Sequence, residues 1–194
     1  MKPGITLYVV RHGETDWNVA GRLQGHTDTR LNDRGRGQAT QNGMRLLEQK
    51  LDLHSMDFIA SPLLRAFETM QLLRAAMGLP VAGFATDGRL KELSYGHCEG
   101  STWSQLPLLD INGVERADDP FNWRPDGGES YADVMNRITD WLAGITRDAV
   151  VVTHGGITRA LRGLAGGVAH EKVPTLKVPQ DRVLVLRDGT MRWI

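Results

Sequence analysis

Two arginines and two histidines stand close to the ends of predicted strands in this chain. Arg11-His12 directly follows one apolar run, Arg65 comes shortly after a second, and His154 directly follows a third. The carboxyl ends of parallel strands lie at one edge of a sheet, where ligands bind, so we expect these side chains to converge. Two guanidinium groups beside two helix N-termini favour a dianion. The residues therefore predict a phosphate site.

Other chemistries fit the sequence poorly. It contains no Gly-x-x-x-x-Gly-Lys-[Ser/Thr] loop, no Gly-rich dinucleotide fingerprint, no Gly-x-Ser-x-Gly elbow and no His-Glu-x-x-His pair. Asp and Glu do not cluster beside His12 or His154, so no metal site is predicted. Cys98 does not fit a thiolate phosphatase, because Ser104 stands where that chemistry needs arginine. We expect Cys98 to be a small buried side chain.

Composition narrows the class of protein. With 194 residues, 41% hydrophobic and 24% charged, the chain is typical of a globular domain. Its formal net charge is zero, so it lacks the basic field that holds nucleic acid or an anionic membrane. No apolar run approaches the roughly 20 residues of a membrane span, and no leader peptide is recognisable. The single cysteine fits a reducing compartment, and we expect a cytoplasmic protein.

The first half of the chain predicts two strands and two helices. Residues 5–10 form a continuous apolar strand of the kind buried on both faces, and residues 58–60 form a second. Residues 16–31 lack helical periodicity and predict a loop. Asn32 is expected to cap the next helix, and Ser61-Pro62 to start another. The core-facing residues predicted for these helices are Ala39, Gly43, Leu46, Leu47 and Leu51, then Leu63, Ala66, Phe67, Met70, Leu73 and Met77.

The middle of the chain is the least regular part. Residues 84–86 give one short extended signal, and residues 94–128 are rich in Gly and Pro. Long irregular segments in compact domains are often binding loops. We expect one short helix there, after Ser101, with Trp103 and Leu106 facing inward.

The C-terminal part returns to a regular pattern. Ser130 and Asp133 resemble a capping box, residues 149–153 predict a strand, and a helix follows His154. Asp188-Gly189 is a two-residue hairpin signal. Strands alternating with helices predict a three-layer α/β/α sandwich with a mostly parallel sheet and an antiparallel edge. The core-facing residues predicted for these helices are Val134, Ile138, Trp141, Leu142 and Ile145, then Ile157, Ala160, Leu161 and Leu164.

Seven stretches resemble the motifs of the histidine phosphatase superfamily, in the branch of the phosphoglycerate mutases and related broad-specificity phosphatases. They follow the family's order and spacing over almost the whole chain. The resemblance implies a phosphoglycerate mutase-like fold in one domain, residues 1–194, with a small irregular cap around residues 94–128. The stretches are Arg11-His12-Gly13-Glu14-Thr15-Asp16-Trp17-Asn18, Gly21-Arg22-Leu23-Gln24-Gly25, Leu31 through Ala39, Ser61-Pro62-Leu63-Leu64-Arg65-Ala66, Leu90-Lys91-Glu92-Leu93, Gly127-Gly128-Glu129-Ser130 and Thr153-His154-Gly155-Gly156.

The resemblance also implies roles for single residues. His12 matches the nucleophile that accepts the phosphoryl group, and Glu92 matches the general acid. Arg11, Arg65 and His154 match the groups that bind the phosphoryl oxygens. Attack requires a neutral His12, and crowding by the two arginines disfavours its protonated form. Two alternatives remain. Glu92 could instead pair with an arginine, and His154 could instead be a structural histidine. Further substrate-binding candidates are Asn18, Arg22, Gln24 and the backbone N–H of Gly155.

One motif departs from the family pattern. Where the family often has Gly-x-Trp-Glu-Gly, this chain has Gly96-His97-Cys98-Glu99-Gly100. The change leaves the predicted catalytic residues intact but weakens any substrate assignment. We expect His97 to be a solvated loop residue. The candidates for the substrate-facing wall, each of which also fits packing or a solvated surface, are Trp17, Arg22, Trp103, Trp123 and Arg124.

The same residues serve a phosphatase or a mutase. The family's true mutases are longer, with an insertion in the middle and a C-terminal tail over the site. We therefore expect a more open pocket that admits water and favours hydrolysis: a phosphomonoesterase for a small phosphorylated metabolite, acting through phosphohistidine without metal or cofactor. The alternative is a phosphoglycerate mutase primed by 2,3-bisphosphoglycerate. A non-catalytic phospho-ligand binding protein is disfavoured because no key residue is lost. The apolar C-terminal hairpin suggests a possible homodimer.

Overall fold

The centre of the molecule is one six-stranded sheet. A computed structural model describes residues 2–110 and 112–194. The strands are Thr6–Arg11 (β1), Asp57–Ala60 (β2), Ala85–Thr86 (β3), Ala149–Thr153 (β4), Val183–Arg187 (β5) and Thr190–Trp193 (β6). They lie in the order β3-β2-β4-β1-β5-β6. The first four in this order are parallel, and β5 and β6 are antiparallel. This confirms the predicted sheet.

Helices cover both faces of the sheet. They are Asp16–Val19 (α1), Asp33–Glu48 (α2), Leu64–Ala76 (α3), Tyr131–Ala143 (α4) and Gly155–Leu164 (α5). Successive side chains of a strand point to opposite faces. Leu7 and Val9 accordingly pack in one core with α4 and α5. Tyr8 and Val10 pack in a second core with α2 and α3. The predicted three layers are present.

The pairing of β1, β2 and β4 brings three strand ends together. Arg11 lies opposite Thr153 in the parallel register. The backbone N–H of His12 donates to the Thr153 carbonyl at 2.8 Å, and that of Ser61 donates to the Val152 carbonyl at 2.9 Å. The sequence-based expectation that these ends converge is confirmed.

Two local predictions about helix starts were wrong. Residues 16–19 form the short helix α1, capped by Thr15, inside the predicted loop. One turn of helix is too short to show an amphipathic period. α3 begins at Leu64 with Leu63 as its N-cap and has no side-chain cap. The Ser61 hydroxyl accepts from the backbone N–H of Leu63 at 3.3 Å and lies 2.7 Å from Nε2 of His154. The caps by Asn32 and Ser130 are confirmed.

Some predicted core residues lie outside the core. Leu47 is 48% exposed, since it lies on the flank of α2, just before the helix ends at Glu48. Trp103 is 53% exposed, because its 3₁₀ turn, Trp103–Gln105, buries only the following Leu106. Three others are half-buried near helix ends or flanks: Leu51, Phe67 and Leu164.

We call residues 94–128 the cap segment. Apart from two 3₁₀ turns, Gly96–Cys98 and Trp103–Gln105, its described part is irregular. A single bridge between Arg22 and Thr102 joins it to the loop after α1, and Leu106 and Trp123 anchor it in the core. Further 3₁₀ turns are Gly88–Leu90 and His170–Thr175. Within the described residues, none of the helices has the length and apolar character to cross a membrane.

Candidate active site

His12 lies at the carboxyl end of β1 with 2% of its surface exposed. Its Nδ1 is 2.7 Å from the backbone carbonyl of Gly13. A carbonyl oxygen only accepts hydrogen bonds, so this contact places the proton of the neutral ring on Nδ1. The unprotonated nitrogen is then Nε2. Gly13 is required here, because a side chain on it would collide with the backbone of Gly35 at the start of α2.

The surroundings of His12 keep its ring neutral. Burial lowers the pKa of His12 well below its usual value, and the positive charges of Arg65 and Arg11 lower it further. Burial disfavours a charged imidazole, and nearby cations add repulsion. The neutral ring expected from the sequence is therefore the form favoured at neutral pH. A neutral imidazole with a free Nε2 can act as a nucleophile.

Arg11 and Arg65 are held by backbone carbonyls. Nη1 of Arg11 donates to Val178 at 2.8 Å, and Arg65 donates to Thr27 at 2.9 Å and to Gly25 at 2.7 Å. Burial lowers the pKa of Arg65 to about 10, so it stays charged at neutral pH. Within residues 2–110 and 112–194, neither guanidinium has a carboxylate partner within 4.0 Å. Two fixed cations without an anion favour an anionic ligand.

His154 is fully buried at the junction of β4 and α5. Its ring centroid lies 5.1 Å from that of His12. Burial lowers the pKa of His154 well below the usual value, followed by the effect of Arg65. Nε2 pairs with the Ser61 hydroxyl, whereas Nδ1 has no hydrogen-bond partner in the described part of the chain. With Ser61 as the donor, Nδ1 carries the ring proton and is free to donate.

Glu92 lies at the N-terminus of α5. Its Oε1 accepts from the backbone N–H groups of Gly156 and Leu93, both at 2.9 Å. Glycine at position 156 leaves room for this carboxylate, because an added Cβ would lie too close to Oε1 of Glu92 and would displace it. Among the described residues, no arginine forms an ion pair with Glu92. The predicted alternative, a carboxylate paired with arginine, is therefore not observed.

The backbone of Glu92 is fixed by a second set of contacts. Its carbonyl accepts from Nη2 of Arg137 at 3.2 Å and lies 2.9 Å from Nε2 of His26. Arg137 in turn binds Glu129 through two hydrogen bonds. The Gly127-Gly128-Glu129-Ser130 stretch therefore has a structural role, because its Glu129 binds Arg137, and Arg137 positions Glu92.

A cavity of about 220 Å³ opens above these groups. We call Arg11, His12, Arg65, Glu92 and His154 the central cluster. All predicted site residues line this cavity except His154, which packs against His12 instead. The amide oxygen of Asn18 already accepts from Gln180 at 3.1 Å, which leaves its NH₂ group to donate to a ligand. The cavity is also lined by Asn18, Arg22, Gln24 and Trp103.

Comparison with known proteins assigns the family. A model of the histidine phosphatase superfamily (branch 1) matches residues 7–193. The chain belongs to this superfamily. The sequence motifs resemble the phosphoglycerate mutase-like branch of this superfamily, and the relatives confirm that branch. Members of the superfamily perform phosphoryl transfer, and this chain is an enzyme of that kind.

Three similar proteins illustrate the branch. A glucosyl-3-phosphoglycerate phosphatase of Mycolicibacterium vanbaalenii is 34% identical over 88% of this chain and 78% of its own length. The phosphoglycerate mutase-like protein 4 of Arabidopsis thaliana is 37% identical over 96% of this chain and 81% of its own length. The solved structure of mycobacterial glucosyl-3-phosphoglycerate phosphatase with VO3 has a TM-score of 0.74, with 30% identity over 98% and 96% of the two chains.

The motif that departs from the superfamily pattern keeps its structural contacts. Glu99 accepts from the backbone N–H groups of His26 and Thr27, both at 2.8 Å. These residues belong to the loop whose carbonyls hold Arg65, so the missing aromatic at Cys98 leaves the phosphate-binding side intact. His97 is exposed and binds Asp126, as expected. Cys98 is half-buried rather than buried, and partial burial raises the pKa of its thiol.

Three predicted wall residues do not reach the cavity. Trp17 packs beside Gly100, Trp123 is 5% exposed within the core, and Arg124 binds Asp133. Arg22 and Trp103 do line the cavity. Four cavity residues were not predicted as site residues, and two of them, Tyr95 and Arg159, have polar side chains; the other two are Gly21 and Leu23. Arg159 lies one helical turn after Gly155, and this i,i+4 spacing was the available signal.

No metal centre is built from the described residues. None of their His, Cys, Asp and Glu side chains forms a group of three able to hold an ion. The cations that face the cavity are arginines. That the reaction proceeds without a metal remains a prediction.

Proposed function

We propose that this protein hydrolyses the phosphate monoester of a small metabolite through a phosphohistidine formed on His12. The observation that carries the proposal is a neutral imidazole, with its Nδ1 proton directed to Gly13, beside the half-buried Arg11 and the buried Arg65, which both lack carboxylate partners. Phosphoryl transfer depends mainly on positioning and on stabilising charge at the equatorial oxygens. Arginine provides both through its planar fork of donors.

The first half-reaction transfers the phosphoryl group to the enzyme. The substrate phosphate lies between Arg11 and Arg65, and Nε2 of His12 attacks phosphorus as the ester P–O bond breaks. Glu92, protonated at this stage, gives its proton to the leaving oxygen. His154 packs against the ring of His12; with its tautomer set by Ser61, its unpaired Nδ1–H is the donor we propose for a phosphoryl oxygen once the phosphoryl group is on His12. The released alcohol leaves the cavity.

The second half-reaction regenerates the enzyme. Water enters the space of the leaving alcohol, Glu92 accepts a proton from it, and its oxygen attacks phosphorus as the N–P bond of phosphohistidine breaks. Inorganic phosphate and neutral His12 result. Asn18, Gln24, Arg22 and the N–H of Gly155 complete the binding of substrate, and no cofactor takes part. A cavity of about 220 Å³ is below the range of drug-sized ligand sites, which favours a small substrate.

A phosphoglycerate mutase is the second candidate. It is favoured by the similarity to phosphoglycerate mutase-like protein 4 of Arabidopsis thaliana. This activity would need 2,3-bisphosphoglycerate to prime His12. Hydrolysis is supported by the similarity to the mycobacterial glucosyl-3-phosphoglycerate phosphatases, the second of which was solved with VO3.

One pair of assays separates these candidates. Incubation with p-nitrophenyl phosphate should release phosphate, and rapid acid quenching should trap an acid-labile phosphoenzyme. Incubation with 3-phosphoglycerate and 2,3-bisphosphoglycerate should yield no 2-phosphoglycerate. Primer-dependent isomerisation faster than phosphate release would replace the phosphatase with the mutase. Binding of phosphate without turnover of any ester would leave only a phospho-ligand binding protein.

We also propose that the enzyme is metal-independent, cytoplasmic and able to form a homodimer. The enzyme works without a metal ion, so EDTA should not reduce turnover, and strong inhibition would contradict this. Free Cys98 is consistent with a cytoplasmic location, and the zero net charge with the absence of a nucleic acid partner. The outer edge of β6 in the C-terminal hairpin is the surface proposed for a homodimer. Sedimentation of the intact protein tests that pairing.

A further inference from the structure

Gln180 lies beside the active site but does not line its cavity. It is half-buried in the loop that leads into β5. Its Nε2 lies 3.1 Å from the backbone carbonyl of His12 and 3.1 Å from Oδ1 of Asn18. One side chain therefore contacts both the proposed nucleophile and a proposed phosphate-binding residue, and the proposed reaction gives it no role.

The carbonyl of His12 fixes the orientation of the Gln180 amide. A backbone carbonyl only accepts hydrogen bonds, so the group of Gln180 that faces it has to be the NH₂. This NH₂ group has two hydrogens, and its two contacts use both. Because it can only donate, the atom of Asn18 that faces it has to be the amide oxygen. The orientation of one amide thus determines that of the next.

Thr15 supports the same orientation of Asn18. The backbone N–H of Thr15 donates to Oδ1 of Asn18 at 3.1 Å as part of the capping box of α1, and the Thr15 hydroxyl lies 3.2 Å from the same oxygen. With Gln180, three groups converge on Oδ1, whereas Nδ2 has no acceptor within the described residues. Asn18 lines the cavity, so its NH₂ group is the part left for a ligand there.

The backbone of Gln180 is held from two sides. Its carbonyl accepts from Nδ2 of Asn42 at 2.9 Å, and Asn42 is fully buried on α2. Two residues earlier, the carbonyl of Val178 accepts from Arg11 at 2.8 Å. The loop is thus fixed both to α2 and to the end of β1. A fixed backbone lets the Gln180 amide hold its two partners in one geometry.

We infer that Gln180 is a positioning residue, which directs the NH₂ group of Asn18 at the phosphate and ties Asn18 to the backbone of the nucleophile, His12. A flipped Asn18 would present its carbonyl oxygen to an anion, and two acceptors repel each other. The contacts on Oδ1 oppose that flip, and Gln180 provides the contact that comes from outside α1 and its cap. This inference rests on the phosphate site of the proposed function.

A double-mutant cycle on phosphate binding tests this inference. Gln180→Met keeps the length of the side chain and removes its donors. It should weaken the binding of inorganic phosphate, measured by isothermal titration calorimetry, by about 3- to 10-fold, the range for one hydrogen bond. In an Asn18→Ala enzyme the same change should weaken binding by less than about 2-fold, because the side chain that Gln180 orients is gone. In the wild-type protein, the NMR signals of the Asn18 side-chain NH₂ group should shift when phosphate is added.

Gln49→Met is the matched control. Gln49 is also half-buried, and its Nε2 also lies near a backbone carbonyl, that of Arg45 at 3.5 Å, but at the far end of α2. It should leave phosphate binding unchanged. Equal losses from Gln180→Met in both backgrounds would make Gln180 a structural residue and overturn the inference.

The NMR measurement needs no variant that has to fold. Signals of the Asn18 NH₂ group that stay unchanged when phosphate binds the wild-type protein would also overturn the inference, as would a wild-type protein that binds no phosphate. Turnover of p-nitrophenyl phosphate is a separate measurement. A protein that shows the coupling between Gln180 and Asn18 but hydrolyses no ester would refute the proposed hydrolysis and leave the positioning of Asn18 intact.

Discussion

The central cluster and the cap segment are built in opposite ways. His12, Arg65 and His154 have at most 2% of their surface exposed and stand at or just beyond strands fixed by the sheet. The cap segment has one bridge to the loop after α1 and exposes Trp103, Leu108 and Leu109. The residues for chemistry common to the superfamily thus lie on the rigid part of the fold. The surface whose sequence can vary lies on loops.

The two regions also differ in how their charges are satisfied. In the cap segment the carboxylates of Asp110, Asp119 and Asp126 are bound by nearby backbone or side-chain groups. In the central cluster, buried arginines have only backbone carbonyls as partners. A buried charge without a counter-ion is unfavourable. The phosphate of the substrate would relieve that cost, so we expect the cluster to control catalysis and the cap segment to tune it.

Replacing the nucleophile should have the largest effect. His12→Asn should lower kcat for p-nitrophenyl phosphate by about 10⁴-fold or more, because it removes the proposed nucleophile and the other imidazole of the cluster, His154, has its Nε2 paired with Ser61. The acid-labile phosphoenzyme should vanish in rapid-quench labelling. His97→Asn, an exposed histidine of the cap segment, is the control and should retain activity. A labelled His12→Asn enzyme would place the nucleophile elsewhere.

Removing one phosphate-binding charge should have the next largest effect. Arg65→Gln should reduce kcat/KM by about 10²- to 10³-fold, the usual loss when one transition-state donor is removed. Arg65→Lys should recover only part of it, since an ammonium group cannot reach the carbonyls of Gly25 and Thr27 and the phosphate together. Inhibition by inorganic phosphate measures the same loss without turnover. If phosphate inhibits Arg65→Gln as strongly as wild type, Arg65 does not bind phosphate.

The contrast between the two regions explains what could be predicted from the sequence. Strand ends can be predicted from the sequence, because continuous apolar runs identify buried parallel strands. Parallel pairing then places the carboxyl ends of these strands at one edge of the sheet. Arg11, His12 and His154 followed from that argument, and Arg65 with them. Glu92 was predicted only through the family resemblance, since its position depends on Gly156 and Arg137, which are far from it in sequence.

Residues whose role depends on tertiary contacts were predicted less well. Ser61 reads as a helix cap in isolation, but its partner is His154, 93 positions away. Trp103 and Trp123 both lie in the irregular cap segment, yet one is exposed and the other buried. Arg159 was not predicted, because the periodicity of its helix indicates only the apolar face. These errors share a cause, because local periodicity carries no information on which polar side chains meet across the fold.

The two buried histidines should make stability depend on pH. Their pKa values are lowered in the folded protein, mainly by burial, and return to about 6.5 in the unfolded chain. Above pH 6.5 neither state binds these protons. Below it the unfolded chain takes them up first, so the free energy of unfolding should fall by up to about 2.7 kcal/mol per pH unit. Urea titrations between about pH 8 and pH 5.5 measure this slope.

One variant tests whether histidines of the central cluster cause this dependence of the unfolding free energy on pH. His12→Asn removes one of the two titrating rings, so its unfolding free energy should depend about half as steeply on pH. His97→Asn, in the cap segment, should keep the wild-type dependence because His97 is exposed. An unchanged slope in His12→Asn would show that other groups dominate the pH response.

The smallest expected effect lies in the cap segment. Trp103 lines the cavity and meets Tyr95 edge-on at 5.9 Å between ring centroids. Trp103→Ala should raise KM by about 2- to 5-fold, with little change in kcat, because it removes binding surface away from the reacting phosphate. Its free energy of unfolding should fall by about 1 kcal/mol or less, as for one exposed aromatic pair. Leu108→Ala, also exposed but outside the cavity, is the control. A large drop in kcat with KM unchanged would mean that the cap segment takes part in the chemical step, and the division between the two regions would then be wrong.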